Sequence, residues 1–280
     1  MIESPIPARR WEDRPLDHWR ERWGIDTLLA FERVGSTNDV VRQLAEDGAP
    51  AGVVAIAEEQ TAGRGQAGRR WHAAKGQGLL LSILLRPAPS GDDGYAPGTI
   101  PIRVGIAVAR AIEAVTGARA WIKWPNDILD DAGRKLAGVL CEGALNVSSG
   151  GFVVAGIGVN VAQREEDFPP DLRSPAASLL MIAGHPVSRA RLAGEIVDEV
   201  RSIGDRLAAP LDSAALREFA GRDALAGHPI TIDGKEAGIA CGLAADGSLL
   251  VRTGDAPAVP VRNGTVRVVR QPIVSWKAQP

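Results

Sequence analysis

From Leu79 to Leu85 the chain carries a single polar side chain, Ser82. The run is far short of the roughly 20 apolar residues that cross a bilayer. It therefore has to be buried in the chain's own core, and with Gly78 before it predicts a buried strand over 78–85. A second short apolar strand is predicted over 53–57. The two belong to one sheet, joined by a glycine- and arginine-rich segment from Thr61 to Trp71.

Around this pair the pattern alternates between helix and strand. Ser36-Thr37-Asn38-Asp39 reads as a helix start, with Ser36 capping and Asp39 reaching back. Val40, Val41 and Leu44 form that helix's apolar face, and Gly48 ends it. Residues 101–115 read as a core helix stopped by Gly117. A strand over 118–123 ends at Trp124-Pro125, because proline cannot continue a ladder. Segments 126–129 and 135–141 flank the turn Asp130-Asp131-Ala132-Gly133, and a further strand over 152–161 follows Ser148-Ser149-Gly150-Gly151.

Leu192, Ile196, Val200, Ile203 and Leu207 are spaced for one helix over 188–207 with Ser188 as its cap, and a second helix spans 213–219. After Gly227 the pattern becomes short strands punctuated by Asp233-Gly234, Asp246-Gly247 and Asn263-Gly264, the sign of a small antiparallel barrel. The expected organisation is an N-terminal lead-in over 1–30 with a short helix over 16–23, a main domain over 31–221 and a C-terminal domain over 222–280.

The balance of 32 basic and 34 acidic residues leaves a net charge of −2, which offers no general attraction to nucleic acid. No membrane partner is expected either. Residues 1–11 contain Arg9 and Arg10 but no apolar segment after them, so they do not read as a signal peptide. Cys141 and Cys241 are too few and too far apart for a disulfide framework, and a cytoplasmic location fits them.

Gly63-Arg64-Gly65-Gln66-Ala67-Gly68 satisfies the G-x-G-x-x-G pattern of dinucleotide sites, but its context is wrong. A loop, Arg69-Arg70-Trp71-His72, follows it in place of a helix, and no acidic residue occurs between Gly68 and Asp92. Freed backbone N–H groups together with Arg64, Arg69 and Arg70 instead suit an anion clamp closed by Trp71. A solvated basic turn would have the same composition.

Two further clusters carry chemistry. Lys123-Trp124-Pro125-Asn126-Asp127 sets an ammonium at the end of a strand, where a low-dielectric cleft strengthens its pull on a carboxylate or phosphate. A lysine guarding a sheet edge is the other reading, and Trp121 and Trp124 favour a pocket wall. Gly156-Ile157-Gly158-Val159-Asn160 suggests close approach of a ligand or backbone to a strand, or a bulge. No zinc spacing, Walker A sequence or nucleophile elbow occurs.

In this order, Ser36-Thr37-Asn38, Gln60 to Gly65 with Gly68 to Trp71, Lys123 to Asp127, Arg134 to Leu140 and Gly156 to Asn160 resemble the biotin protein ligase family. The resemblance covers 34–219, and the C-terminal part is similar to the family's SH3-like barrel. It implies an α+β fold, a mixed sheet with helices on one face as in class II aminoacyl-tRNA synthetases, in the form without a winged-helix DNA-binding domain, for which the lead-in is too short.

By the same resemblance, Ser36, Thr37, Asn38 and Gln60 would hold biotin, together with Gly63, Arg64, Gly65, Gln66 and Lys123. The nucleotide would be held by Arg64, Arg69, Trp71, Lys123, Asn126, Lys135 and Asn160. Lys123 would lead the chemistry, with Arg64 next. Gln66 stands where many members carry arginine, which removes one cation from the clamp.

The implied reaction joins biotin to ATP, with Mg²⁺ on the phosphates, as biotinyl-5'-AMP. The biotinyl group then passes to a lysine of a biotin carboxyl carrier domain. The resemblance further implies a monomer or a homodimer. A lipoate or octanoyl transferase would share the scaffold, but the chain lacks an R-R-x-x-G-G-G loop followed by His. A biotin-sensing repressor would need the winged helix.

Overall fold

Leu79, Leu81 and Ile83 pack into one core and Leu80 and Leu84 into another, so the apolar run is buried from both sides of a sheet. The computed structural model describes residues 4–88, 94–146, 150–169, 172 and 175–269. Ser148 and Ser149, from the turn expected before 152–161, lie outside the described residues, as does the chain from Arg270 onward.

The elements run β1 (Ile6–Ala8), β2 (Arg10–Trp11), β3 (Arg14–Pro15), α1 (Leu16–Trp23), β4 (Leu28–Arg33), α2 (Thr37–Glu46), β5 (Val54–Ala57), β6 (Gly78–Leu85) and α3 (Ile100–Thr116). Then come β7 (Trp121–Lys123), β8 (Asp127–Leu129), β9 (Lys135–Asn146), β10 (Gly150–Asn160), α4 (Leu179–Ala183), α5 (Arg189–Arg201) and α6 (Ser213–Ala220). The C-terminal strands are β11 (Pro229–Ile232), β12 (Lys235–Leu243), β13 (Leu249–Arg252), β14 (Val259–Val261) and β15 (Val266–Val268).

The main sheet has the order β1-β4-β5-β6-β10-β9-β8-β7. Its β4–β5 pair is parallel and the other pairs are antiparallel, which makes it mixed as expected. The helices are not confined to one face. α1, α3 and α5 contribute to the larger core, while Val41 and Ala45 of α2 pack with Phe31, Ala55 and Leu84 on the other side. That second layer exists because β5 and β6 are apolar at every position but Ser82, so both faces need covering.

The lead-in is part of this core. β1 pairs with β4, and Trp11, Trp19 and Trp23 are buried against one another, with the Trp19 and Trp23 rings stacked at 5.6 Å. Arg189 of α5 fastens it, donating to Glu12 at 2.7 Å and to Glu58 at 2.9 and 3.0 Å.

Ser188 caps α5 as expected, accepting from Arg191 N. The helix stops at Arg201 short of Leu207, because Gly204 takes a left-handed φ of 53° and the chain tightens into a 3₁₀ turn. The C-terminal strands form an antiparallel sheet of order β14-β13-β12-β11-β15, consistent with a small SH3-like domain. No pairing of β14 with β15 closes it among the described residues.

Candidate active site

Three glycines of β9 and β10 form a floor without side chains. A Cβ at Gly156 would fall 2.2 Å from Asn38 Oδ1, one at Gly158 would fall 2.5 Å from Trp71 Cε2, and one at Gly138 would lie 3.0 Å from Lys135 Nζ. The β10 ladder is in unbroken register with β6 and β9. These glycines therefore make no bulge, and all three line the cavity between the walls. They admit the side chains that build the walls.

One wall is the start of α2. Thr37 donates from its backbone N (2.8 Å) and its hydroxyl (3.0 Å) to Gln60 Oε1. Ser82 Oγ sits 2.6 Å from Asn38 Oδ1 and 2.7 Å from Thr37 Oγ1, and Asn38 Nδ2 donates to Glu142 Oε2 at 2.8 Å. Ser36 occupies the N-cap position, yet its side chain makes no cap hydrogen bond. The expected reach of Asp39 back to the helix start is also replaced, because Asp39 is engaged by Arg64.

The other wall is the segment 61–71. It contains one 3₁₀ turn, Gln66–Gly68, and no α-helix opens after it, which removes the dinucleotide reading. Gly65 N donates to Arg69 O at 2.7 Å and Trp71 N to Gly63 O at 3.0 Å, so the segment is a self-bonded hairpin pinned by Trp71 on the glycine floor. Arg64 is not a free cation. Its Nη1 and Nη2 donate to Asp39 at 2.8 and 2.6 Å, and Nη2 also to Glu142 at 3.1 Å. The Asp39 hydrogen bond, against some burial, raises the pKa of Arg64 further. Arg69 donates to Gln66 O and Arg70 to Thr61 O.

Between the walls lies a cavity of ≈ 120 Å³. Of the sequence-derived residues it brings together Ser36, Thr37, Asn38, Gln60, Arg64, Gly65, Gln66, Arg69, Trp71, Asn126 and Lys135. Four cations, Arg64, Arg69, Arg70 and Lys135, line it without a lining carboxylate. Gln66 also borders a second space of ≈ 680 Å³ against the C-terminal sheet.

Gly63, Lys123 and Asn160 are not in the lining. Gly63 packs on Gln60 and Trp71 O. Buried Asn160 donates to Lys135 O and Ala177 O, both at 3.1 Å, and so fixes the backbone under Lys135. Lys123 and Lys135 share buried Asp127, at 3.9 and 2.5 Å respectively. Burial lowers the pKa of Lys123, an effect that Asp127 opposes and nearby Lys135 and Arg69 reinforce. Lys123 thus shares its carboxylate with a lining cation without being in the lining itself.

Of the two tryptophans expected as a pocket wall, Trp124 lines the larger space and neither lines the smaller cavity. Trp121 donates to Asp131 Oδ1, and Trp124 is buried and donates to Gly247 O. Trp71 is the aromatic of the smaller cavity, with Lys135 Nζ 5.4 Å from its ring centre.

Sequence reasoning missed Ser82, Gly138 and Glu142. Each leaves a trace in the alternation: Ser82 is the lone hydroxyl of an apolar run, and Glu142 ends the series Leu136, Gly138, Leu140, Glu142 along β9.

Residues 30–160 match the biotin/lipoate A/B protein ligase family. The chain is 37% identical over 177 residues to the bifunctional ligase/repressor BirA of Bacillus spizizenii, covering 60% of this chain and 53% of that protein, so it spans about half the length of that curated relative. It is 34% identical over 208 residues to the biotin–[acetyl-CoA-carboxylase] ligase of Mycobacterium tuberculosis, covering 72% of this chain and 71% of that protein. The biotin protein ligase of Aquifex aeolicus, solved with biotin and ATP, superposes with a TM-score of 0.71 at 26% identity, covering 87% of this chain and all of that one. With the glycine floor, the two walls and these likenesses in hand, the chain belongs to the biotin/lipoate A/B protein ligase family and groups there with the biotin protein ligases.

Proposed function

We propose that the chain activates biotin with ATP as biotinyl-5'-AMP and transfers the biotinyl group to a lysine of a biotin carboxyl carrier domain. The observation that carries this reading is the four-cation lining opposite a wall of fixed amides and hydroxyls. Thr37, Asn38 and Gln60 offer a bicyclic urea several oriented polar partners in a small cavity. The nucleotide extends past Gln66 toward the larger space, which Gln66 also borders. The same likenesses favour biotin over lipoate.

In the first step a carboxylate oxygen of biotin forms a bond to the α-phosphorus, and the bond to the β-phosphate oxygen breaks, releasing pyrophosphate. Two anions have to meet, so placed cations matter more than proton transfer. Lys135, held by Asp127, Trp71 and the backbone beneath Asn160, is the best-placed of them, with Lys123 sharing its carboxylate. Mg²⁺ would come with ATP as part of the substrate and would supply neutralisation of phosphate charge. In the second step a neutral lysine amine attacks the acyl carbon and AMP leaves. Burial in the 61–71 hairpin shields the mixed anhydride from water meanwhile. A cytoplasmic location is supported by Cys141 and Cys241 both being free thiols, and among the described residues no helix is long and apolar enough to cross a membrane.

The test is incubation with α-labelled ATP and either biotin or lipoate, followed by addition of a carrier domain. Biotinyl-adenylate and then labelled carrier are expected. Lipoyl-adenylate alone, or no adenylate with either acid, would overturn the assignment.

A further inference from the structure

One carboxylate ties three parts of the site together. Glu142, on the cavity-facing side of β9 but outside the lining, accepts from Asn38 Nδ2 through Oε2 at 2.8 Å and from Arg64 Nη2 through the same oxygen at 3.1 Å. Its Oε1 faces Arg42 of α2 at 3.3 Å. Asp39 completes the grip on Arg64 with two bonds. Both hydrogens of Asn38 Nδ2 are thereby engaged, the second by Leu140 O at 3.4 Å, while Asn38 Oδ1 accepts from Ser82 and keeps one lone pair for a ligand. Gly156 leaves the room in which the Asn38 amide lies, since a Cβ there would fall 2.2 Å from its Oδ1.

We infer that Glu142 is a positioning residue, which aims the Asn38 amide into the acyl pocket and holds Arg64, and with it the 61–71 hairpin, against α2. The inference rests on the functional reading above for what the pocket binds. It adds a residue that touches neither substrate in that reading and acts through two that do. The chemistry favours a carboxylate here over any neutral group. Asn38 Nδ2 and Arg64 Nη2 are both donors, converging on one oxygen with the Arg42 guanidinium beside the other, so a neutral acceptor would strip both guanidinium contacts of their charge assistance. Burial raises the pKa of Glu142, but the bonds from Asn38 and Arg64 outweigh it and leave the group below the ordinary carboxylate range.

Two readouts test this, one free of any substrate. In Glu142→Gln, trypsin should cut at Arg64, Arg69 and Arg70 about tenfold faster than in the wild type, because the freed hairpin exposes them. The melting temperature should stay within a few degrees. In the adenylate assay the KM for biotin should rise about tenfold or more, the scale for losing a charge-assisted hydrogen bond, with kcat and the KM for ATP changed far less. Glu142→Gln and Arg64→Ala should combine to much less than the product of their separate effects on biotin KM, because both release the same contact.

Unchanged proteolysis of the hairpin in Glu142→Gln would overturn the inference, as would fully multiplicative effects in the double variant. A wild type that makes no biotinyl-adenylate would fail the functional reading by itself, and the proteolysis result would still decide the role of Glu142 in holding the hairpin.

Discussion

Trp71 lies directly on the backbone of Gly158, with its Cε2 2.5 Å from where a Cβ would stand and Cζ2 at 2.8 Å. The indole also carries Lys135 near its face, so a single missing methyl group positions both the end of the hairpin and a cation.

Gly158→Ala should therefore push Trp71 off the floor while β10 keeps its ladder. Adenylate formation should fall by about 10²-fold, the scale for a shift of roughly 1 Å in a positioning group. Far-ultraviolet circular dichroism should be unchanged and tryptophan emission should shift. Full activity in this variant would show that the indole has another place to go.

Lys135→Ala should lower adenylate synthesis by about 10²- to 10³-fold, as expected for one preorganised charge. Lys123→Ala should cost about tenfold, since Lys123 is not among the lining residues and meets them through Asp127. Single-turnover rates with saturating biotin and ATP distinguish the two. The reverse order would restore Lys123 to the leading place that the sequence assigned it.

Trp23→Ala should destabilise the protein by about 3–5 kcal/mol in urea unfolding, the usual range for emptying a core aromatic site. Trp23 stacks on Trp19 and fills the space left by Gly194, where a Cβ would stand 2.9 Å from its ring. A loss below about 1 kcal/mol would mean that the lead-in is not part of the main core.

Asp223 gives a pH signature. Burial pushes its pKa up to about 6 from 3.8, although Leu225 N donates to its Oδ1 at 2.8 Å. The folded state thus binds its proton more tightly than the unfolded chain does. Its contribution to stability is full below about pH 4, is lost as the pH rises through about 6, and amounts to about 3 kcal/mol. Asp223→Asn keeps an acceptor for Leu225 without the buried charge. Its melting temperature should exceed that of the wild type at pH 7.5, and the gap should close toward pH 5. A gap that does not change with pH would contradict the burial of an ionised group.

Local signals carried much of this in the sequence. The run 78–85, the cap at Ser188, the stop at Gly117 and the turn at Asp130–Gly133 are decided by neighbours a few residues apart, through burial, capping and backbone preference, and they reappear in place. The motif residues could also be named, because their order along the chain resembles the biotin protein ligase family. What each one does could not be read there. Arg64 is 25 residues from Asp39 and 78 from Glu142, and Trp71 is 87 from Gly158 by position. Only the folded sheet makes those pairs neighbours. That Lys123 and Lys135 meet at one carboxylate likewise follows from the β7–β8 and β8–β9 pairings, which set Asp127 between them. Pairing at such separation is settled by packing and register, for which no local pattern in the chain is a substitute.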